Sequence, residues 1–474
     1  MVLRSSDPNL FDEIDGIVIN EQTPPSQIQG VGSNTAILVG QFQRGPKELS
    51  LPIASIGSFQ EIYGRSDFPG NKQLRNKTFG RLRIIRVVSS GAAKATKDLG
   101  TRVTLTAKNE GAYGNNIYGT VTSQGATFTL VVEDKNPRAI LPIETYTNLT
   151  TDNLVSETAG SKLVDVTLRG NNGNQAAVNE TKLSGGSDGT VADTDYEAAL
   201  TQAEAINAGN VLFLDVNNAI RNGYLKNRAA AQQDKMVIVA GGENDTIAQT
   251  VNAVGSLRDT DGRIIYAYPW VQTVINGTLE FTNPSAWIAS VFSQIPSHVA
   301  LSRVQNSQFL GGATALKKNL TRTEAVTLNE NGILTLEQDA VRGITILNAV
   351  TTQIANSQNR EILRRRMADF LTDSIARFLD NYRNAVNSVE NREEVKAMIL
   401  EWDARLVRDG ILPSARDIQG GGSPVNVDIE SLNTDDVIAS GMFKIGYKRR
   451  IYSSMRYIVL QAEIGTNVVV TEEN

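Results

Sequence analysis

A change in hydrophobic pattern near Asp193 constrains the fold of this chain more than any other feature. Between Lys97 and Gly189, runs of β-type residues such as VTLTA and TFTLVVE alternate with Gly, Asn, Asp and Ser turns. After Asp193, apolar strand-like runs alternate instead with helical segments. Strands that alternate with helices form parallel βαβ units whose sheet is covered on both faces. The sequence therefore predicts an α/β layer and a distinct β-rich block.

The α/β layer is predicted in two pieces of chain that the β-rich block separates. The later piece carries strands over 210–216, 235–241 and 263–270, alternating with helices over 193–207, 219–233 and 245–257. The earlier piece has two buried strand candidates, Thr35–Val39 and Arg81–Val88, which most simply belong to the same sheet. We therefore predict an α/β core domain over 31–96 and 191–350, with residues 97–190 inserted as a β-rich outer domain.

Both ends of the chain are predicted to be extended arms. Residues 1–30 contain one short strand candidate, Gly16–Asn20, followed by TPPSQIQG. Two prolines and scattered polar residues are typical of an extended segment rather than a packed unit. At the other end, residues 459–474 include the apolar run NVVV and form the predicted C-terminal strand arm.

The region before the C-terminal arm is predicted to be a helix-plus-sheet domain over 351–458. Two amphipathic helices, 360–382 and 391–409, precede alternating runs that favour strands. Asn391 with Glu394 resembles a capping box at the start of the second helix. The whole chain is thus predicted to be a multidomain protein of mixed α/β and α+β class.

The composition excludes several kinds of site. The 474 residues include no cysteine and one histidine, His298, which removes thiol nucleophiles, disulfides and zinc sites of the Cys/His type. The net charge is −5 and the pI about 5.3, whereas a general nucleic-acid coat would be basic. No apolar run approaches the roughly 18 residues that span a bilayer. The N-terminus also lacks the apolar region of a signal peptide. We expect a protein made in a cytoplasm, with no direct nucleic-acid binding and no membrane insertion.

One G-x-S-x-G match, Gly185–Gly189, has the spacing of a nucleophile elbow. An elbow follows a buried apolar strand, whereas the polar run VNETKLS precedes this match, so a turn at Ser187 is favoured. No motif in the chain predicts a catalytic residue, a cofactor or a metal site, and we expect no enzymatic activity.

The stretch GQFQRGPKE, Gly40–Glu48, nearly spells a phosphate-binding loop. The G-x-x-x-x-G-K-[ST] motif needs a lysine and a hydroxyl after its second glycine, and then a helix. Pro46 stands at the lysine position and Lys47 at the hydroxyl position, and a second proline, Pro52, follows six residues later. Two prolines so close together break a helix. The sequence predicts a turn that leaves a buried strand, not a nucleotide site.

Six motifs follow one another along most of the chain. They are DGIVINE at 15–21, IQGVGSNTAILVGQFQRGPKELSLPIASIGSFQEIYG at 28–64, GAYGNNI at 111–117, LSGGSDGT at 183–190, YAYPWV at 266–271 and LNENGIL at 328–334. Together, and followed by the helix pair at 360–409, they resemble contractile tail sheath proteins, which form the outer sleeve of myovirus tails, tailocins and related injection systems. The chain departs from that pattern at Asp15, at Tyr113 and over 330–350, where the usual Trp-Gly is missing.

The resemblance implies a structural subunit of a contractile sheath. In that family, stacked hexameric rings surround an inner tube, and their contraction drives the tube through a target cell envelope. The expected partners are further copies of this chain, the inner tail tube protein, and the baseplate and tail terminator proteins, with no cofactor. The expected location is a virion tail or a released injection particle, assembled in the host bacterial cytoplasm.

The resemblance also implies that both arms exchange strands with neighbouring subunits. Such a strand forms main-chain hydrogen bonds with a neighbour's sheet edge while its linker bends. The arm strands would be Ile17, Val18 and Ile19 at one end and Val468, Val469 and Val470 at the other. Strands paired within a single subunit are the alternative, although unpartnered apolar β-strands promote aggregation.

The resemblance places the C-terminal domain next to the tube, and a basic cluster there predicts the contact. Its members are Arg360, Arg364, Arg365 and Arg366. Relative to the apolar stripe of the helix at 360–382, Arg365 points away, while Arg364 and Arg366 flank the stripe. A charge cluster is usually only a solvated face. In an acidic chain its concentration on one turn makes it the candidate tube contact.

Two other classes of function remain open from the sequence. The βαβ run is compatible with a nucleotide-binding α/β enzyme, although the loops after Val216, Gly241 and Trp270 contain no G-x-G-x-x-G. A static self-assembling shell or surface-layer protein would be equally free of cysteine and catalytic motifs. Phage tail, tailocin and other injection systems are not distinguished by these residues.

Overall fold

The computed structural model describes residues 2–4, 17–19, 28–32, 34–53, 55–170, 174–205, 210–232, 235–354 and 358–455. The chain divides into two compact units. The smaller unit consists of Met1–Val31 and Phe370–Tyr452, and the larger of Gly32–Asp369 and Ser453–Asn474. Within the described residues, no helix combines the length and apolar character needed to cross a bilayer.

Seven strands form the central sheet of the larger unit, hereafter the core sheet. From edge to edge they are Gly343–Asn348, Ile333–Asp339, Ile264–Tyr268, Lys235–Ala240, Asn210–Leu214, Thr35–Gln41 and Arg81–Val87. All neighbours are parallel except the hairpin of Ile333–Asp339 with Gly343–Asn348. The central strands are buried along their length because helices cover both faces. The chain before and after the β-rich block thus shares one sheet.

Each face of the core sheet packs against its own helices. One face meets Ile56–Tyr63, Pro69–Leu74 and Pro284–Gln294. The other face meets Asp193–Leu200, Ala219–Gln232, Ile247–Leu257 and Arg322–Glu330. A small antiparallel sheet of Val271–Ile275, Thr278–Thr282 and Ala315–Leu316 completes this part of the unit. The predicted βαβ core is confirmed; the helix expected over 193–207 is shorter, since a 3-10 turn begins at Thr201.

The β-rich block contains two antiparallel sheets. One has strands Val164–Leu168, Val103–Ala107 and Thr96–Leu99; the other has Val178–Lys182, Ile117–Gln124, Thr127–Asp134 and Glu144–Leu149. One helix, Leu154–Thr158, joins them. The sheets share a single apolar cluster. Their packing is close at Gly119, where an added Cβ would lie 2.6 Å from Leu105 Cδ1.

The smaller unit combines helices with a two-stranded sheet. The helix Ile362–Leu379 runs from the larger unit into it, and Val389–Arg408, Asp435–Ala439 and the paired strands Val425–Asp428 and Gly446–Arg449 follow. Arg449 Nε donates to Asp403 Oδ1 over 2.6 Å, and this buried ion pair joins the two-stranded sheet to the helix Val389–Arg408. Strands predicted after Arg449 are absent from the described residues up to 455.

The predicted capping box at Asn391 and Glu394 is wrong. The helix begins at Val389, and Ser388 caps it by accepting a hydrogen bond from the Asn391 N–H over 3.2 Å. A serine three residues before an amide N–H satisfies one of the four free donors of the first turn. The helix ends at Arg408, one residue before the predicted end at 409, and Gly410, which the sequence offers as a terminating glycine, takes the left-handed conformation at φ 72°.

Candidate functional site

The loop Gly40–Glu48 follows the core strand Thr35–Gln41 and has no helix behind it. The next helix begins only at Ile56, capped by Ser55. Gly45 has φ 107°, a conformation that favours glycine, and an added Cβ there would meet the Tyr63 ring at 2.6 Å. The loop therefore lacks the free helical N–H groups that hold a phosphate.

A carboxylate of the chain itself fills the space beside this loop. Asp215, just past the strand Asn210–Leu214, is buried and accepts hydrogen bonds from the Gln41 N–H and the Tyr196 hydroxyl, both over 2.7 Å. A Cβ added at Gly40 would lie 2.8 Å from Asp215 Cγ. In open α/β sheets, ligands bind where neighbouring strands lead to opposite sides, and these two strands are such neighbours. Here the buried Asp215 carboxylate lies at that position, next to the end of the strand Thr35–Gln41.

Burial also changes the proton affinity of this carboxylate. Removal from water raises the pKa of Asp215 to about 6, while the hydrogen bonds from Gln41 and Tyr196 act in the opposite direction. The network was not found from the sequence, because its members are far apart along the chain. The only signal was an acidic residue ending the apolar run NVLFLDV.

The loop instead fastens the β-rich block to the core. Arg86, in the edge strand Arg81–Val87, donates to the carbonyl oxygens of Phe42 and Gly45 over 3.1 Å and to that of Glu110 over 2.8 Å. The Gly45 N–H donates to Asn109 Oδ1 over 3.1 Å. Burial lowers the pKa of Arg86 because the charged guanidinium loses its contacts with water. The hydrogen bonds to the carbonyl oxygens offset this desolvation cost. The loop that nearly matches a phosphate-binding motif therefore connects the core sheet to the β-rich block.

The residues considered for nucleophilic chemistry are not brought together. Ser187 lies in an isolated bridge, where its main chain pairs with Ala93 over 2.9 and 3.0 Å. His298, the one imidazole of the chain, is exposed, and partial desolvation together with the nearby Arg366 charge lowers its pKa. None of the hydrogen bonds among described residues joins the two side chains. Among the described residues, no three acidic or histidine side chains are grouped to hold a metal ion.

Two members of the arginine cluster are buried, which contradicts their expected place on the surface. Arg366 is 3% exposed; it donates to the carbonyl oxygens of Ile295 and Phe292 over 2.8 and 3.2 Å, and its guanidinium stacks on the Phe292 ring. Burial lowers the pKa of Arg366 to about 9. Arg360 is 6% exposed and donates to the Asn329 carbonyl oxygen. The helical wheel misplaced Arg366 because it allowed for one buried face, whereas the end of Pro284–Gln294 covers a second. Arg360 lies before the helix, in the 3-10 turn Gln358–Arg360.

The other two members have different surroundings. Arg365 Nε donates to Asp369 Oδ1 over 3.0 Å. The same carboxylate accepts a hydrogen bond from each terminal nitrogen of Arg263, both over 3.0 Å. Asp369 and Arg263 are buried, so this is a two-arginine clamp on one carboxylate. Arg364 is partly exposed and only 3.4 Å from Glu361. Arg364 is therefore the most accessible member of the cluster.

The N-terminal arm strand exists, and it pairs within the chain. Ile17–Ile19 lies parallel to Val2–Arg4, with Val2 opposite Ile17 and Arg4 opposite Ile19. The root of the arm is held by the smaller unit, where the Val31 N–H donates to Ser374 Oγ over 3.1 Å and Ile28 is buried. The C-terminal arm strand, Val468 to Val470, lies outside the described residues.

Comparison with solved structures finds proteins whose fold resembles that of most of this chain. No family model matches the sequence, and no curated protein matches it. A sheath tail protein from Listeria innocua is 19% identical, with a TM-score of 0.64 over 86% of this chain and 90% of that chain. One from Desulfitobacterium hafniense is 17% identical, with a TM-score of 0.61 over 92% of this chain and 100% of that chain. The contracted helical sheath of the anti-feeding prophage gives 14% identity and a TM-score of 0.59, over 95% of this chain and 99% of that chain.

These likenesses extend over nearly the whole chain and over nearly the whole of each neighbour. At this identity they define the fold, which is that of contractile sheath proteins. The predicted mixed α/β and α+β class is confirmed, and so, at the level of fold, is the resemblance carried by the six motifs.

The same charge reversal at two neighbouring arginines should have very different effects on stability. Arg366→Glu buries a carboxylate against two carbonyl oxygens, so we expect the free energy of unfolding to fall by about 3 kcal/mol or more. Arg364→Glu changes a partly exposed side chain and should cost about 0.5–1 kcal/mol. Urea unfolding of the two variants measures the difference. Equal, small losses would mean that Arg366 is a surface residue.

Proposed function

We propose that this chain is the structural subunit of a contractile sheath, which assembles as stacked hexameric rings around an inner tube and contracts to drive the tube through a cell envelope. The observation that carries the proposal is the sheath fold along nearly the whole chain, including the neighbour whose contracted helical assembly is known. The six sequence motifs are separate support, because they are local residue patterns, whereas the likeness to solved structures is measured over the whole fold.

The proposed role is not enzymatic. The loop that came nearest to a nucleotide site joins two parts of the fold, and the Asp215 carboxylate fills the space where a phosphate would bind. A buried negative charge repels a phosphate as well as blocking it. A nucleotide-binding enzyme would be favoured instead if ATP produced a saturable rise in melting temperature that Gly45→Ala removed.

The proposed links between subunits are exchanged arm strands. The pair Val2–Arg4 and Ile17–Ile19 has two strands of three residues each. An isolated two-stranded sheet is marginal in water, so further strands would stabilise it. The antiparallel pair of Val425–Asp428 with Gly446–Arg449 is likewise two-stranded among the described residues, and its edges can accept a further strand. Strand addition between such edges needs only main-chain hydrogen bonds, which tolerate rotation of the linked subunits.

Removing either arm should stop long sheaths from forming while leaving the subunit folded. Deleting residues 1–22 removes Ile17, Val18 and Ile19, and deleting 466–474 removes Val468 to Val470; neither deletion touches the core sheet. Each arm contributes a few hydrogen bonds of about 1 kcal/mol net, repeated at every subunit. We expect unchanged circular dichroism and no long tubes in electron micrographs.

Point variants separate strand pairing from bulk deletion. Val18→Pro removes a main-chain donor and should act like the deletion, whereas Val18→Thr keeps a β-branched side chain and should assemble normally. Deleting only residues 471–474 leaves the C-terminal valines and serves as the second control. Normal contractile sheaths from both arm deletions would show that these strands pair within their own subunit.

The proposed tube contact is now centred on Arg364, with Arg365 beside it. Arg364 is the partly exposed member of the cluster, and Arg365 retains some exposure despite its contact with Asp369. Arg360 and Arg366 are excluded from the proposal because they are buried. A single exposed cation gives a weak, salt-sensitive grip, which suits a sleeve that must slide along a tube.

Reversing the charge at Arg364 should weaken coupling to the tube without unfolding the subunit. We expect Arg364→Glu to reduce sheath growth on purified tubes, and the loss should be largest at low salt, where screening is weakest. Arg322→Glu, an exposed arginine at the start of another helix, is the matched control. Tube-templated growth that is identical for the two variants would remove the tube contact from this helix.

Further partners and the location belong to the same proposal. Solved neighbours include a chain from the baseplate of the anti-feeding prophage, 14% identical over 96% of this chain, which supports a baseplate contact. The inner tail tube protein and a tail terminator are proposed as the remaining partners. The proposed site of action is a phage tail or a released injection particle, assembled in the bacterial cytoplasm. A static shell is the remaining alternative, and electron microscopy would show it as flat lattices or closed cages.

A further inference from the structure

A groove borders the edge of the core sheet formed by Arg81–Val87. Its main cavity has a volume of 650 Å³, and a second cavity of 350 Å³ continues it past Ile56, Phe59 and Leu74. Apolar side chains line the main cavity: Ile53, Ile56, Phe59, Leu74, Leu82 and Val274. Leu51, on the segment that leads to this groove, is 82% exposed. Apolar surface left in water around a concave site marks an interaction surface.

The groove is also basic. Lys77 lies in the main cavity with its ammonium 4.0 Å from the centre of the Trp287 ring and 3.4 Å from the Arg75 carbonyl oxygen. Burial lowers the pKa of Lys77 to about 7. The continuing cavity adds Arg65, Arg75 and Arg138, the last two of which share Asp67 over 3.4 and 2.8 Å. Asp67 already balances part of the charge of Arg75 and Arg138, which leaves Arg65 and Lys77 as the cations that favour an occupant with acidic groups.

The opposite edge of the core sheet carries a projection of matching character. The hairpin of Ile333–Asp339 with Gly343–Asn348 extends past its neighbour Ile264–Tyr268, whose pairing ends at Thr335. At its tip Val341 is 92% exposed, and Glu337 and Asp339 stand on the strand leading to it. The Asp339 carboxylate accepts the N–H groups of Val341 and Arg342, each over 2.8 Å, which fixes the turn. A pre-formed tip loses little freedom on binding.

The groove and the hairpin lie too far apart to meet within one chain. They stand at the two ends of a seven-stranded order, six strand spacings apart. At about 4.8 Å per spacing the two edges are roughly 29 Å apart. The hairpin tip of the same copy therefore cannot reach the groove, whereas a second copy can present its tip there, with the apolar Val341 and the carboxylates of Glu337 and Asp339 beside the exposed Arg342.

We infer that the hairpin tip at Val341 of one copy docks in the groove at Ile56 and Lys77 of the next. Because the two surfaces differ and lie on opposite edges, the contact is heterologous and repeats from copy to copy as a ring or a helix. The inference rests on the proposed sheath function for its biological setting, but it names a contact that the arms do not provide.

Disulfide trapping tests the contact directly, because the chain contains no cysteine. A disulfide forms only when two Cα atoms come within about 7 Å. Under a mild oxidant, a mixture of the single variants Val341→Cys and Ile56→Cys should give a covalent heterodimer, and the double variant should give a ladder of multimers. The control pairs Val341→Cys with Val155→Cys, an exposed position on the β-rich block, and should give neither.

Assembly provides the second readout. Val341→Asp should raise the protein concentration needed for assembly at least tenfold, whereas Val155→Asp should leave it unchanged. Ringed tubes without the Val341–Ile56 cross-link would overturn the docking contact and leave the sheath function standing. A cross-link in soluble oligomers that never form tubes would support the contact and count against the sheath function. A double variant that links only within one copy would also overturn the inference.

Discussion

The parallel pairing of Thr35–Gln41 with Asn210–Leu214 is the contact on which the rest of the structure depends. It joins segments about 175 residues apart and encloses the whole β-rich block between them, a closure whose entropy only extensive burial can offset. Both strands are continuous apolar runs, and side chains from each face enter a separate cluster. The pairing also brings Gln41 to Asp215 and closes the one position in the fold where a phosphate loop was suggested by the sequence.

The order of strands and helices in the core could be predicted because the residue pattern within each element indicates its type. Fully buried strands are short apolar runs, and the helices between them carry one apolar face. What could not be predicted were features that depend on a distant partner. Arg366 is hidden by a helix some seventy residues earlier in the chain, and Asp215 is held by Gln41 and Tyr196. Ser388 was missed for a different reason. Asn391, three residues later, also fits the residue pattern of a helix N-cap, and the sequence alone does not choose between the two positions.

A sheath needs two kinds of contact, and different parts of this chain have the chemistry for each. Arm strands would supply contacts that survive rotation, because main-chain hydrogen bonds depend on no particular side chain. Side-chain contacts such as the apolar, basic groove would have to release or rearrange, and modest surfaces with charges at their rim can do so. Within the larger unit, the clamp of Arg263 and Arg365 on Asp369 fixes the start of the helix that leads into the smaller unit. The residues of the buried clamp thus lie in different segments of the sequence from the arm strands and the groove that would make contacts between subunits.

Electron microscopy of the full-length chain, with and without purified inner tube, tests the central claim most directly. The account predicts long tubes with helical striations and six-fold rings, in which the sheath fold is repeated at every subunit. Flat lattices, closed cages, or a chain that stays monomeric at high concentration in the presence of tube would contradict it.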